Sequence, residues 1–143
     1  MIVIADASVL VSELLRKRGR DLLSHPDIQI LVAEHQWRET ERELPRRLDS
    51  IVSHGHLSAE QANELLKAAN ELVSCGVIEI VPEAVYADNE QVARRRIPRD
   101  DKDWPTVALA ITFDSGILAA DNDFFGCGCP TWTFETLRDE LDS

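Results

Sequence analysis

Residues 100–125 read DDKDWPTVALAITFDSGILAADNDFF, and this stretch decides the fold. It opens with three carboxylates in four residues, and an apolar helical run, a turn at Gly116 and a short apolar strand follow. The strand leads directly into a second acidic pair, Asp121 and Asp123. Because open α/β sheets bind ligands beyond the carboxyl ends of their strands, the stretch predicts one half of an acidic site.

The rest of the chain alternates between strand and helix patterns. Buried strands are predicted over 2–5, 28–32, 77–81 and 117–120, with a candidate fifth over 131–133. In the first half of the chain, helices are predicted from a cap at Ser8 to 17–19, over 21–24, and from 34 with a kink or break at Pro45. In the second half, helices are predicted from a capping box at Ser58, over 82–96 in two pieces, from a cap at Asp103 to 113, and over 134–141. This order predicts a three-layer α/β/α sandwich around a central parallel sheet of four or five strands, in one domain spanning 1–143.

Composition places few limits on function. Hydrophobic residues make up 44% of the 143 positions and charged residues 29%, which is ordinary for a globular chain. No apolar run approaches the roughly 20 residues of a membrane helix, and no leader pattern follows Met1, so we expect a cytoplasmic protein without a membrane partner. The three cysteines, Cys75, Cys127 and Cys129, suit neither a disulfide framework nor a zinc site.

The net charge of −11 argues against a generally basic nucleic-acid surface. The 15 Lys and Arg residues are clustered, however, and an acidic metal site would by itself make the chain look acidic. The cluster nearest the acids of residues 100–103 comprises Arg94, Arg95, Arg96 and Arg99, which are candidate phosphate contacts or simply a solvated face. Charge alone therefore leaves nucleic-acid binding open.

Topology brings several carboxylates to one edge of the predicted sheet. Asp6 and Asp121 each follow a buried strand directly, and Asp103 begins the helix that leads into the fourth strand. Glu39 lies in the first turns of the helix after the second strand, and Glu43 lies one turn further along the same face. Each acid also has an ordinary explanation, as a turn former, a helix cap or a solvated helix residue.

Acids brought together in this way would repel one another strongly unless a cation compensated their charge. Oxygen ligands without cysteine or histidine favour magnesium or manganese. Such an ion could bind a phosphodiester and activate a water molecule for in-line attack. The pattern therefore predicts phosphoryl chemistry at the carboxyl edge of the sheet.

The chain resembles the PIN-domain family, and most closely its VapC-type ribonuclease toxins. The resemblance spans nearly the whole sequence and rests on four segments: the run from Ile4 through Asp6 to Leu10, Glu39 shortly after the second strand, Asp103 before an Ala-Leu-Ala helix, and the run from Ala120 through Asp121 to Phe124.

The resemblance implies a Mg²⁺- or Mn²⁺-dependent endoribonuclease acting on RNA. By position it assigns an acidic quartet of Asp6, Glu39, Asp103 and Asp121, and metal ligands Asp6, Asp103, Asp121 and Asp123. It adds support from Ser8, Glu43 and Asp100, and phosphate contacts from Arg94, Arg95, Arg96 and Arg99. It further implies a toxin that is blocked by a cognate antitoxin and that forms a homodimer.

One position departs from the family pattern. Relatives often carry Thr or Ser two residues before the third-motif aspartate, where this chain has Ala119. This favours an alternative interpretation as a non-catalytic PIN-like domain that binds RNA or protein. Two phosphotransfer folds fit less well. Ser8 occupies the place of the second aspartate of a haloacid-dehalogenase-type phosphatase, and neither the acidic pair nor the late lysine of a receiver domain is clear.

Overall fold

The computed structural model describes residues 1–97, 101–120 and 122–143, and its central feature is a parallel sheet. The strands of the described chain are β1 (Ile2–Ala5), β2 (Gln29–Ala33), β3 (Ile78–Val81), β4 (Gly116–Leu118) and β5 (Thr131–Trp132). They are arranged in the order β3-β2-β1-β4-β5, and every pair is parallel. The predicted sheet is therefore confirmed, with five strands.

Strand β1 occupies the centre of the sheet. Ile4 pairs with Leu31 of β2 on one side and with Ile117 of β4 on the other. Val3, Ile4 and Ala5 are all fully buried, because helices cover both faces of the sheet. This explains why β1 is a continuous apolar run without the alternation of a half-exposed strand.

The helices form one layer on each face of the sheet and complete a three-layer α/β/α sandwich. They are α1 (Ala7–Glu13), α2 (Lys17–Leu23), α3 (Glu34–Ser53), α4 (Ala59–Ser74), α5 (Glu83–Tyr86), α6 (Glu90–Arg96), α7 (Trp104–Phe113) and α8 (Phe134–Asp142). Helices α1–α4 and α8 pack on the face that carries Val3, and α5–α7 pack on the face that carries Ile4. None of the described helices is both long and apolar enough to cross a membrane.

Helix α7 is the most deeply buried of these helices. Every residue from Trp104 to Ala110 is buried, and the helix contacts β1, β2 and β4. A helix that is apolar all round belongs in a core, and here it fills the middle of its layer. The helix ends as predicted at Phe113, where Asp114 adopts the left-handed conformation with φ of 49°.

The predicted break at Pro45 is absent, because α3 runs from Glu34 to Ser53 with the proline inside. The alternative, a kink at Pro45, stays a prediction. Proline removes one backbone hydrogen bond and usually disturbs a helix. Leu44 and Leu48, on either side of it, are buried in the core, so packing holds both halves in one helix.

The boundary between α1 and α2 also differs from the prediction. Asp6 rather than Ser8 is the N-cap residue, α1 ends at Glu13, and α2 starts as early as Lys17. A side chain at Gly19 would collide with the Glu13 backbone, so the chain doubles back there on a position that only glycine fits. The remaining elements match within a few residues, and the capping box at Ser58 is present.

Candidate active site

Asp6 lies at the carboxyl end of β1, the strand at which the strand order of the sheet reverses. The chain leaves β1 toward β2 on one side, and it reaches β4 on the other side only after the intervening helices. Open α/β sheets bind ligands in the crevice at such a switch point. The backbone N–H of Asp6 donates to the Leu118 carbonyl at 3.2 Å, which holds Asp6 level with Ala119. The residue is only 5% exposed.

Ser8 holds the carboxylate of Asp6. Its Oγ donates to Asp6 Oδ2 at 2.6 Å, a short hydrogen bond of the charge-assisted kind. The Asp6 side chain makes no capping bond to helix α1, so it does not serve as an ordinary helix cap. The Ser8 bond is the contact expected of a residue that orients the first acid. Its role in chemistry stays a prediction.

Asp103 lies directly before α7, at the end of a 3₁₀ turn over Asp101–Asp103. Asp103 occupies the predicted N-cap position of α7, but its side chain makes no capping hydrogen bond within the described helix. Its φ of −85° and ψ of 5° lie outside the extended region that a capping residue normally adopts. Packing of α7 against β1 and β2 fixes the position of its backbone.

Glu39 and Glu43 both lie on α3, which starts where β2 ends. Glu39 is exposed, and Glu43 is half-buried. Glu43 pairs with Arg46 at 3.2 Å and with Arg42 at 3.8 Å, so arginines of its own helix already neutralise it. Of the two, Glu39 is the better candidate for the quartet, as its position in the sequence also suggested.

The predicted phosphate contacts differ in what they already bind. Arg94 Nε lies 2.9 Å from Glu90, and Arg94 Nη1 lies 2.7 Å from Asp101. The hydrogen bond to Glu90 and the two nearby carboxylates raise the pKa of Arg94 above its ordinary value. Arg96 donates to the Cys127 carbonyl at 3.4 Å, whereas Arg95 is exposed and forms no ion pair with a described residue. Arg95 is therefore the most available of the three.

Four of the predicted site residues complete the account. Asp123 is exposed in the loop that follows β4. Arg99, Asp100 and Asp121 lie outside the described residues, and their parts in the site stay predictions.

The described acids of the sheet edge form only part of a metal-binding set. Among the residues the structure describes, no three Asp, Glu, His or Cys side chains are grouped closely enough to hold one, and Asp121 is not among those residues. The described acids at this edge, Asp6 and Asp103, supply carboxylate oxygen. Oxygen donors suit Mg²⁺ or Mn²⁺.

The sequence did not point to an aromatic cluster beside Asp103. Trp104 lies 6.1 Å from His35 and 5.7 Å from Tyr86 between ring centroids, and Arg94 lies 5.4 Å above its ring. His35 Nε2 also lies 3.5 Å from Glu83. The signal was available, since His35 lies only two residues beyond the end of β2.

Comparison with known proteins agrees with the fold. A family model for the PIN domain matches residues 4–142. The crystal structure of PAE2754 from Pyrobaculum aerophilum has a TM-score of 0.65, covering 99% of this chain and 90% of that one, and its 17% sequence identity supports the fold alone. No curated protein matches the chain significantly. Since the family model covers nearly every residue, the chain belongs to the PIN-domain family.

Proposed function

We propose that this PIN domain is a Mg²⁺- or Mn²⁺-dependent endoribonuclease. PIN domains are generally nucleases and usually use divalent metals. The observation that carries the proposal is Asp6, a carboxylate buried at the switch point of the sheet and bound by Ser8. Burying a carboxylate is costly unless a charge or hydrogen bonds compensate it. The burial of Asp6 at a ligand-binding edge therefore favours a functional role over a purely structural one.

Residues from three segments would hold the ion: Asp6, Asp103, Asp121 and Asp123, with Glu39 as the further acid of the quartet. When bound, such an ion neutralises phosphate charge and lowers the pKa of attacking water. Ser8 would keep the Asp6 carboxylate in one orientation. Exposed Arg95 would contact the RNA backbone, where a guanidinium suits a phosphate.

The family resemblance also suggests a role for the protein in the cell. We infer that the protein is the toxin of a toxin–antitoxin pair, that a cognate antitoxin blocks the acidic edge, and that the chain forms a homodimer. The test is expression of this chain alone and together with any short protein that is encoded directly upstream. Growth arrest on expression of this chain alone, relieved by that neighbour, supports the extension, and unaffected growth opposes it.

A second candidate function is a non-catalytic domain that binds RNA or protein. Ala119 favours it, because this buried residue lies level with Asp6 and offers no hydroxyl where relatives often have one. The backbone N–H of Ala119 donates to the Trp132 carbonyl at 3.0 Å, so this N–H is engaged within the sheet and is not available to a ligand. The two candidates differ in whether bound RNA is cut.

The test is cleavage of a panel of structured and single-stranded RNAs with Mg²⁺ or Mn²⁺. Asp6→Asn and Asp103→Asn should each reduce the rate by on the order of 100-fold, equivalent to a few kcal/mol of transition-state stabilisation. Asp49→Asn, on the exposed surface of α3, is the matched control and should cleave like wild type. RNA binding without cleavage would support the second candidate, and an inert protein that also binds no Mn²⁺ would reject the nuclease.

A further inference from the structure

Two cysteines form a contact pair in the turn between Phe124 and β5. Cys127 is 1% exposed, whereas Cys129 is half-buried and reaches the surface. The two thiols lie close enough that each shifts the pKa of the other, and in its protonated form Cys127 Sγ donates to the Cys129 carbonyl at 4.0 Å. The sequence had suggested only unconnected reduced thiols. The structure places them side by side.

The backbone of the turn brings the sulfurs together. Gly126 and Gly128 both have φ of +86°, a conformation that side chains disfavour. Gly128 separates the cysteines by one residue without adding a side chain between them. A disulfide needs its two Cβ atoms close and properly directed, and this turn returns Cys127 Sγ to within 4.0 Å of the Cys129 carbonyl, which keeps the two cysteines near each other.

Hydrogen-bond donors and one cation, Arg96, surround Cys127. The Cys129 thiol, the backbone N–H groups of Cys129 and Cys127, and nearby Arg96 together lower the pKa of Cys127 to about 6, although burial opposes them. The pKa of Cys129 is correspondingly raised, chiefly by its hydrogen bond to Cys127. The two shifts are opposite in direction, so Cys127 is the more readily ionised thiol of the pair. Thiolates with such partners are the reactive cysteines of proteins.

Helix α6 packs over the turn. Arg96 Nη1 donates to the Cys127 carbonyl at 3.4 Å, and a side chain at Gly128 would come within 3.2 Å of the same nitrogen. The guanidinium thus lies against the glycine that separates the cysteines. This contact is independent of the thiol chemistry and indicates that the turn is a formed structure.

We propose that Cys127 and Cys129 are a redox modification site, a dithiol that closes to an intramolecular disulfide by exchange with a low-molecular-weight disulfide such as glutathione disulfide. Accessible Cys129 loses its proton and attacks one sulfur of glutathione disulfide; the glutathione S–S bond breaks, a mixed disulfide forms on Cys129, and the departing glutathione thiolate takes up the proton. Cys127 then gives up its proton and attacks Cys129 Sγ, and the second glutathione leaves. Starting from two neutral thiols, the protein loses two protons and two electrons, and one glutathione disulfide takes them up to become two glutathione thiols.

Cys75 provides a comparison within the wild-type protein. It is exposed at the end of α4, where its Sγ lies 3.7 Å from the Leu72 carbonyl. It has no second thiol to resolve a mixed disulfide. Cys75 should therefore keep a glutathione adduct under conditions in which Cys129 loses one.

The test treats the reduced, full-length Cys75→Ser protein with glutathione disulfide, alkylates it, and measures its mass and peptides. The expected product lacks two hydrogens and carries neither glutathione nor alkyl on Cys127 or Cys129. The Cys75→Ser, Cys127→Ser double variant should instead retain one glutathione on Cys129. Alkylation of both cysteines after treatment, or a stable adduct on Cys129 with Cys127 intact, would overturn the proposal.

A second probe avoids replacement of the buried cysteine. Phenylarsine oxide binds tightly only where two thiols lie close together. The Cys75→Ser protein should bind one equivalent, and the Cys75→Ser, Cys129→Ser variant, altered at a half-buried position, should bind none. Failure of the first protein to bind would also reject the dithiol, whatever the outcome for nuclease activity.

Discussion

Ser8 and Asp6 are joined by a 2.6 Å hydrogen bond at the carboxyl end of the central strand. The two residues are separated by Ala7 at the start of α1, so the first helical turn places the hydroxyl beside the carboxylate. Because the bond engages one oxygen of a buried acid, it restricts the directions in which that acid can offer its oxygens to a ligand.

Removing this hydroxyl should weaken the site without unfolding the protein. Ser8→Ala is expected to reduce Mn²⁺ affinity and RNA cleavage by roughly 10- to 100-fold, the usual loss when a partner of a metal ligand is removed. Ser12→Ala, one turn further along α1, is the control. Isothermal titration and cleavage rates provide the measurements. Equal losses in the two variants would mean that the helix, and not the Asp6 contact, is responsible.

The ion pair between Arg18 and Glu13 should contribute to stability. Glu13 is 8% exposed at its side chain and lies 3.0 Å from half-exposed Arg18, which also lies 4.2 Å above the Phe134 ring. Arg18→Ala leaves a buried carboxylate without its cation. We expect a loss on the order of 2 kcal/mol, below the several kcal/mol of fully buried pairs because water reaches Arg18.

The matched control is Lys17→Ala, one residue away. Lys17 forms a pair with Asp21 at 2.7 Å, but both side chains are largely exposed. Such pairs contribute between about 0 and 1 kcal/mol. Urea denaturation of both variants checks the expectation, and a loss for Lys17→Ala as large as that for Arg18→Ala would contradict it.

Arg94 and Arg95 are adjacent on α6, but their replacement by alanine should affect different properties of the protein. Arg94 joins α6 to the turn before Asp103 through its bond to Asp101, and it covers the Trp104 ring. Arg94→Ala should therefore lower the Tm and also reduce cleavage, since Asp103 loses a constraint. Arg95→Ala should leave the Tm unchanged and reduce RNA affinity, with a shallower dependence on salt.

Thermal melts and RNA binding at several salt concentrations separate the two arginines. If Arg95→Ala binds RNA like wild type at low salt, Arg95 is not a phosphate contact. If Arg94→Ala melts like wild type, its two ion pairs and its contact with Trp104 contribute nothing measurable to the fold.

The sequence was sufficient for the architecture because its signals are local or periodic. Strand β1 is a continuous apolar run between helices, and such runs identify buried parallel strands. The position of Asp6 at the sheet edge follows from the same rule. Pro45 shows the limit, since its local preference to break α3 is weaker than the packing of Leu44 and Leu48 on both sides.

Side-chain contacts were less predictable, because they depend on how turns close. Asp103 occupies a cap position in the sequence, but its backbone angles do not suit capping. The Arg94 bond to Asp101 and the pairing of Cys127 with Cys129 arise from the conformations of two turns, which composition and spacing do not specify. For the same reason the ligand roles of Asp121 and Asp123 stay predictions.

Tyr86 should make the protein sensitive to high pH. Burial raises its pKa from 10.0 to about 12, with the nearby charges of Glu83 and Glu34 adding to the shift. In the unfolded chain the phenol ionises near pH 10, whereas in the folded protein it stays neutral up to a higher pH. Because the folded pKa is the higher, Tyr86 contributes its full stability below pH 10 and loses it as the pH rises through 12.

Tyr86→Phe removes the ionisable group while keeping the ring beside Trp104. Urea midpoints measured between pH 9 and pH 12 should fall less steeply for this variant than for wild type. Near pH 8 the urea midpoints of the two proteins should depend on pH to a similar extent, because the wild-type phenol is neutral there in both the folded and the unfolded chain. Parallel curves across the whole range would show that Tyr86 ionises alike in the folded and unfolded chains, and that its burial does not hold the phenol neutral.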